Sequence, residues 1–553
     1  MLKGYQADIN NVLCYNRRTL NLVTIYRLDS ALLKKMTWGL SMSNNYDNEP
    51  GLADVKQLGL FAAIASLGYV FWIVGAMEMI ERLAYYGVRT VAGIYATDAQ
   101  SIGGLGITAT DLGIIFLVWA IVQSLVPALV GGLSDRFGYK QTIFLSTVVK
   151  IAGYLVMATM PTFYGFMAGA VILAAGTGIF KPGIQGTLVK CTNRENSSMA
   201  WGIFYQTVNI GGWLGPLVAA QLRQLSWDNL FYACAIIISL NFILLLTYKE
   251  PNIEERLERK RQIKEGKLKQ DNLVKESLRE LAKPELLVFL FIMSGFWFMF
   301  NAFFDVLPLH IRDWVDTSTI VSDLFGKDGT SSTFWIFILG MNNEGTQIMP
   351  EGLVNVNAGL IMLTCFLYAH MSGKLRAVNS IILGTLLQAI TFVMFGYETA
   401  AWIILIGILI FSSGEMFSSP KFLEYIGNFA PADKKAMYLG FSQLPQAVGW
   451  AAESYIGPWL YDNFAAKESL SRNYLLENGH DLATVQNIPI GEAFTYLVSV
   501  STASEAEITQ ILYESNNVGF VWDIMAIAAF LTAIGLYFYG KWIVNIIGAK
   551  PNA

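Results

Sequence analysis

Four charged residues lie in an otherwise apolar stretch that reads GYVFWIVGAMEMIERLAYYGVRTVAGIYA. They are Glu78, Glu81, Arg82 and Arg89. Each of them costs about 2.5–3.5 kcal/mol at the centre of a bilayer, so four such groups cannot all face lipid. Their spacing places them, together with Tyr85, on one stripe of an α-helix. The stripe predicts a hydrated interior in which acids and bases bind or relay protons or ions. A buried ion-pair network that only fixes helix packing is the alternative.

The composition is typical of a polytopic membrane protein. Only 14% of the 553 residues are charged and 54% are hydrophobic, whereas about a quarter of a soluble globular protein is charged. The net charge of −4 offers no basic field for nucleic acid. Four scattered cysteines and three histidines without ligand spacing predict neither a disulfide framework nor a metal site. Since hydrolase and nucleotide-binding motifs are missing as well, we expect no enzyme and no cofactor.

Twelve apolar stretches are long enough to span a bilayer. They cover residues 68–96, 109–133, 139–160, 163–190, 200–224, 229–248, 285–311, 353–373, 376–397, 400–430, 436–462 and 518–546. A segment of alternating charge, 249–284, separates the first six from the last six and predicts a solvated linker. The arrangement resembles the repeat plan of the major facilitator superfamily. It implies an all-α membrane protein with two six-helix bundles, 57–248 and 285–553.

The positive charges in the loops predict the orientation in the membrane. The linker holds eleven Lys and Arg residues, whereas the long loops 315–352 and 464–516 hold one and two. Because Lys and Arg in short loops resist translocation, we expect the linker and both termini on the cytoplasmic side. The first segment, 1–56, is predicted to be a cytoplasmic leader, and the two long loops are predicted to lie outside. We expect the plasma membrane, the inner membrane of a bacterium, as the location.

The charged stripe resembles the ExxERFxYYG motif of the proton-coupled oligopeptide transporter family. Residues 78–87 read EMIERLAYYG and differ from that pattern only by Leu83 in place of Phe. The resemblance implies a proton-coupling cluster that consists of Glu78, Glu81 and Arg82. It also implies a substrate pocket to which this span contributes Tyr85, Tyr86 and Arg89, the last as the ligand of a peptide carboxylate. For the two tyrosines, packing on a helix face is the alternative.

Two more segments of the first half carry the resemblance. GTGIFKP over 176–182 contains the family's Lys-Pro pair, which implies an ion pair of Lys181 with Glu78 or Glu81. Such a pair works as a proton switch, because a neighbouring cation keeps a carboxylate charged; a snorkelling lysine is the alternative. FYQTVN over 204–209 resembles the family's FYxxIN and implies that Asn209 contacts substrate, although an interhelical hydrogen bond is an alternative.

The second half resembles the family at GEMFSSP, residues 414–420. This segment corresponds to the family's GExxxSP, which implies that Glu415 binds a peptide amino terminus and that Ser419 lies in the same pocket. Like the fourth span it is interrupted by proline, and such paired breaks mark a central binding site. The next residues, from Lys421 to Glu424, add charge that the family usually lacks here, and we expect them to alter the pocket.

The seventh span departs from the family pattern FWxxx[DE]Q. It reads FWFMFNA over 296–302, so that Asn301 stands where the family has an acid. We expect Asn301 to remain in the substrate site. Asp305 lies four residues on, hence on the same helical face, and we predict that it pairs with Arg89 and takes over a proton-coupled outer gate. Capping of the helix end is the alternative.

A loop motif identifies the architecture rather than the substrate. GLSDRFGYK over 132–140 resembles the cytoplasmic gating loop of the superfamily, which implies a gating role for Asp135 and Arg136.

Together, the resemblances imply a symporter that imports di- or tripeptides or peptide-like solutes by alternating access. Its driving force is the proton gradient, its surroundings are the lipid bilayer, and we expect a monomer. The changes at Asn301 and Lys421 favour, as the first alternative, a carrier for another zwitterionic or anionic solute such as an amino acid derivative or a drug-like compound. A membrane sensor or assembly partner that uses the two long outer loops is the second alternative.

Overall fold

A computed structural model describes residues 60–192, 196–251, 278–430 and 440–546, together with 253, 254, 258, 261 and 438. The leader predicted over 1–56 and most of the linker predicted over 249–284 lie outside these residues. Residues 57–59 and 547–553 are likewise outside the described part.

The described residues form twelve long helices, as the apolar stretches predict. These are α1 (Tyr69–Arg89), α2 (Ala109–Phe137), α3 (Tyr139–Thr159), α4 (Phe163–Lys190), α5 (Ser197–Leu222), α6 (Trp227–Leu246), α7 (Pro284–Asp305), α8 (Val356–Ser372), α9 (Ala377–Tyr397), α10 (Ala401–Phe429), α11 (Gln443–Phe464) and α12 (Phe520–Ile546). In the described part the β structure is limited to one isolated bridge between Met341 and Ile348. The fold is therefore all-α.

Two predicted spans are broken near their ends. The first stops at Arg89 and resumes as the short helix Ala92–Thr97, and the seventh stops at Asp305 and resumes as Leu307–Trp314. The second break has a direct cause, because Pro308 has no backbone N–H to donate to the preceding turn. Both breaks lie just beyond a charged side chain that contributes to the site described below.

The long helices pack as two groups, α1–α6 and α7–α12. In the first, α3 packs along α4 and α1 lies against α5 and α6; in the second, α9 packs along α10 and α7 lies against α11 and α12. Glycines allow the closest approaches. A Cβ on Gly384 of α9 would lie 2.3 Å from the carbonyl oxygen of Gly414 in α10. The two groups meet mainly where α2 contacts α11 and where α5 contacts α8.

The two long loops predicted on the outer side are themselves folded. They contain the short helices Ser318–Phe325, Thr333–Ile338, Pro350–Val354, Lys467–Glu477, Leu482–Asn487, Ala493–Val500 and Glu505–Ser515. Arg472 links two of them, since its guanidinium pairs with Glu468 of its own helix and donates to the carbonyl oxygens of Val485 and Ile488. Buried leucines such as Leu475 and Leu512 complete the packing of this region.

Eight of the described helices are long and apolar enough to cross a membrane. The remaining long helices, α1, α5, α8 and α11, are shorter or more polar. They are also the helices along which the two groups meet or bury charge, so their polar residues need not face lipid.

Candidate functional site

The charged stripe of α1 is buried inside the protein. Glu81 is completely inaccessible, and Glu78 and Arg82 are almost so. Arg82 lies between the two acids, with its Nε 3.0 Å from Glu78 Oε1 and 2.6 Å from Glu81 Oε2. The prediction that the stripe avoids lipid is therefore correct. Its role in proton coupling is a separate prediction that geometry alone does not test.

The second cation of this cluster comes from α3. Lys150 Nζ lies 2.7 Å from Glu81 Oε1 and 4.0 Å from the centre of the Phe180 ring. Gly176 of α4 leaves the space for the lysine stem, since a Cβ there would lie 2.6 Å from Lys150 Cγ. Two acids and two cations are thus combined in one buried group, which is what low-dielectric surroundings require of charges.

The ion pair predicted for Lys181 is wrong for this structure. Among the described residues, Lys181 has no acidic partner within 4.0 Å, although it lies near enough to act electrostatically on Glu78. The reason is packing: α3 packs along α4, and the space at Gly176 of α4 lets the Lys150 side chain reach Glu81. The signal for Lys150 was available in the sequence, because it is a lysine in the middle of the apolar third span, as Lys181 is in the fourth.

The predicted ion pair between Arg89 and Asp305 is present. Arg89 Nη2 donates to Asp305 Oδ1, and both side chains are buried. The guanidinium carbon lies 4.3 Å from the centre of the Phe116 ring, within reach of a cation–π interaction. Asp305 therefore binds a cation across the molecule rather than capping its own helix. The pair joins α1 of the first group to α7 of the second.

Asn301, at the position of the family's acid, does not take part in this pair. Its Nδ2 donates to the carbonyl oxygen of Trp297 one turn earlier, at 2.6 Å. The amide is thus used within α7.

A cavity of about 80 Å³ lies between the two helix groups, which is room for several water molecules. Three predicted substrate residues line it, namely Tyr86, Asn209 and Glu415. Asn357 of α8 lines it too and was missed by the sequence analysis; its Nδ2 donates to Glu415 Oε2 and to Ser412 Oγ, both at 3.0 Å. The amide orients the carboxylate that faces the cavity. The available signal in the sequence was an asparagine within the apolar eighth span.

The other predicted substrate residues are not among those that line this cavity. Tyr85 donates to Gln123 Oε1 at 3.0 Å and packs edge-on against Trp119, which is the packing role held open for it. Ser419 also lies away from the cavity lining.

The charges that follow the GEMFSSP segment neutralise each other. Lys421 is buried and its Nζ lies 2.7 Å from Glu424 Oε2, one turn further along α10. Neither residue lines the cavity, so the expected alteration of the pocket by these charges is not seen.

Polar contacts join the two helix groups on the side of the long loops. Arg223, at the end of α5, donates through Nε to Glu351 Oε1 at 2.5 Å. Arg312 Nη1 lies 3.0 Å from Asp98 Oδ1. Thr110 at the start of α2 donates to Asp462 of α11 at 2.6 Å. The sequence analysis missed these bridges, because each partner lies in a separate loop or helix end.

Asp135 and Arg136 lie in the last turn of α2. Their side chains are outside the part that the structure describes, so the gating role stays a prediction.

Residues 60–452 match the family model described as Major Facilitator Superfamily. The chain belongs to this superfamily. It is a multi-pass membrane protein with the fold of a transporter.

Two curated relatives are transporters by name. The uncharacterized transporter YclF of Bacillus subtilis (strain 168) is 30% identical over 214 residues, which are 37% of this chain and 42% of YclF. This match thus spans less than half of the length of YclF. Multidrug resistance protein MdtH of Yersinia pestis (strain Pestoides F) is 20% identical over 409 residues, covering 73% of this chain and 89% of MdtH.

Solved structures of POT family transporters share the fold. One in complex with a thioalcohol-conjugated peptide has a TM-score of 0.59 at 16% identity and covers 87% of this chain and 99% of that one. One in complex with 5-aminolevulinic acid has a TM-score of 0.57 at 17% identity and covers 81% of this chain and 98% of that one. Tetrameric PepTSo2 has a TM-score of 0.55 at 17% identity and covers 86% of this chain and 98% of that one. At such identities the similarity concerns the fold.

Proposed function

We propose that the protein is a proton-coupled secondary transporter that imports di- or tripeptides or peptide-like solutes by alternating access. The observation that carries the proposal is the buried group of Glu78, Glu81, Arg82 and Lys150. Its first three members lie on the same helix as Tyr86 of the central cavity. Titratable groups inside a membrane protein are costly and mark ion or proton paths. A cavity between two helix groups is where transporters of this architecture bind solute.

The substrate class follows from the charges around that cavity. Glu415 of α10 lines that cavity and suits an amino terminus. Arg89 of α1, whose neighbour Thr90 lines the cavity, suits a carboxylate once it leaves Asp305, because a guanidinium binds carboxylates in a bidentate manner. A zwitterion held at both ends draws the two helix groups together. The motifs at residues 78–87 and 414–420 support a peptide as that zwitterion. The protein is then a carrier without a cofactor, driven by the proton gradient, and we propose that it works as a monomer.

A second candidate is a carrier for another zwitterionic or anionic solute. It is favoured by Asn301, whose amide is engaged within α7 where the peptide transporter motif has an acid. The solved relative with bound 5-aminolevulinic acid provides a probe of this class.

Uptake into proteoliposomes tests the proposal. With an inward proton gradient, radiolabelled dialanine is expected to accumulate, and a protonophore is expected to stop the accumulation. Unlabelled dialanine with free termini should inhibit uptake of the labelled dipeptide more strongly than its acetylated amide does. Glu415→Gln should reduce this difference in inhibition. Glu398→Gln, an exposed acid just before α10 and outside the cavity lining, is the matched control. Accumulation of 5-aminolevulinic acid without dialanine would favour the second candidate, and accumulation of neither would overturn the proposal.

We propose further that the protein lies in the plasma membrane of a bacterium with both termini in the cytoplasm. The basic linker on one side and the folded loops on the other support this orientation. In a variant without native cysteines, Lys327→Cys in a long loop should react with an impermeant maleimide added to intact cells. Lys374→Cys, which is also exposed and lies between α8 and α9, should react only after permeabilisation. The reverse pattern would invert the topology.

A further inference from the structure

A second acid lies beside the Arg89–Asp305 pair. Glu453 of α11 is completely buried beside the end of α7 that carries Asp305, since a Cβ on Gly457 would contact both Glu453 Oε1 and Val306 Cγ2. It is held there by close packing, since that Cβ would lie 2.2 Å from Glu453 Oε1. The site as described so far makes no use of this residue.

Three oxygen atoms of the two acids have no donor among the described residues. Asp305 Oδ1 accepts from Arg89, but Asp305 Oδ2, Glu453 Oε1 and Glu453 Oε2 are buried without a hydrogen-bond partner. Buried polar atoms of this kind cost free energy unless a donor satisfies them. Two adjacent carboxylates also repel each other, and the usual solution is one proton between them.

The charges near Glu453 also favour one bound proton between the two acids. Asp305 of α7 and Arg89 of α1 are the charged groups that act on it. No charged side chain of α2 or α12, the other described long helices packed against α11, does so. With both acids ionised, the buried group carries one net negative charge, whereas one bound proton makes it neutral.

We propose that Glu453 and Asp305 form a proton-binding site that holds one shared proton beside Arg89. This proposal rests on the proton-coupled transport proposed above and names a residue pair for it. The Glu453 hydroxyl donates to Asp305 Oδ2, and Arg89 donates to Oδ1. The proton comes from water when the two helix groups separate on the side of the long loops, and it is released to water when they separate on the opposite side.

The shared proton controls how strongly the two helix groups are held together. A hydrogen bond from Glu453 withdraws negative charge from Asp305 and weakens its hold on Arg89. Without the proton, two negative charges face the guanidinium and hold it more tightly. Proton binding therefore favours opening on this side, and proton loss favours closure.

Infrared difference spectroscopy tests the site without any substrate. The purified full-length protein in lipid nanodiscs is compared between acidic and alkaline solution, and the carbonyl stretching bands of buried protonated carboxyls are recorded. Relative to the wild type, Glu453→Gln is expected to lose the band of one titrating carboxyl, whereas Glu453→Asp is expected to retain it at a shifted frequency. Ser454→Ala, a buried neighbour on α11, is the control and should leave the bands unchanged. Identical difference bands in wild type and Glu453→Gln would overturn the proposal.

A transport measurement gives the functional consequence. Each coupled proton raises the attainable accumulation ratio about tenfold per pH unit of gradient. Glu453→Gln is therefore expected to lower the dialanine accumulation ratio about tenfold at a gradient of one unit, while exchange of internal for external dialanine continues. Unchanged accumulation by a folded Glu453→Gln would contradict the site. If the wild type itself does not transport dialanine, the proposed function fails, and the infrared comparison still decides whether Glu453 binds the proton.

Discussion

Lys150→Ala is expected to abolish proton-driven accumulation and to destabilise the protein by about 3–5 kcal/mol, the usual cost of removing one partner of a buried ion pair. Lys150 Nζ is the α3 contribution to a group in which two acids face two cations. Without it, Glu81 is left buried with Arg82 alone, which also binds Glu78. The unfolding temperature in detergent and dialanine accumulation in proteoliposomes are the two measurements.

Lys181→Ala is the matched comparison, because it removes the same side chain from a place where none of the described residues forms an ion pair with it. Its unfolding temperature should stay near that of the wild type, whatever its effect on coupling. The double variant Lys150→Met with Glu81→Gln should recover much of the lost stability, because it leaves no uncompensated charge. If Lys150→Ala were as stable as the wild type and Lys181→Ala were not, Lys181 and not Lys150 would be the partner of Glu81 in the membrane.

Arg89→Ala is expected to open the side of the long loops. It leaves Asp305 and Glu453 buried next to each other without their cation, a loss of about 3–5 kcal/mol for the closed arrangement. This corresponds to a shift in the population ratio on the order of 100-fold or more. Spin labels at Ser101→Cys and Lys327→Cys, both exposed and in different halves, should report a longer distance in the variant than in the parent.

Arg89→Lys separates charge from geometry. A lysine keeps the positive charge but lacks the planar fork, so we expect closure to be retained and substrate binding to be weakened. Arg376→Ala, an exposed arginine between α8 and α9, should change neither the distance nor the affinity. An Arg89→Ala variant with the parent's distance distribution would show that the remaining bridges, such as Arg223 with Glu351, suffice for closure.

Much of this architecture could be predicted from the sequence for reasons of hydration. A segment that spans a bilayer must satisfy its backbone hydrogen bonds, and a helix does so within itself. Twelve long apolar stretches therefore predict twelve helices. A charge in such a stretch must find a partner in the interior. Periodicity then determines which charges share a face, as it does for Glu78, Glu81 and Arg82. The resemblance implies an acid at Asn301 that pairs with Arg89, and a four-residue step on α7 from there led to Asp305.

The choice between chemically equal partners could not be made in this way. Lys150 and Lys181 are both lysines within apolar spans, and only the packing of α3 against Gly176 of α4 decides that Lys150 reaches Glu81. Periodicity describes one helix at a time, whereas a contact between helices depends on their separation and rotation.

By itself, then, the sequence determined the number of spans and the face of α1 that carries charge, because these depend on hydrophobicity and on the repeat of a single helix. The acid that meets Arg89 followed from the family resemblance at Asn301 together with that repeat. The tertiary structure decided that Asn357 orients Glu415, that the long outer loops fold into helices and that Glu453 comes to lie beside Asp305. These contacts join residues from different helices or loops, and the position of one helix against another follows from the packing of all their side chains rather than from any one segment.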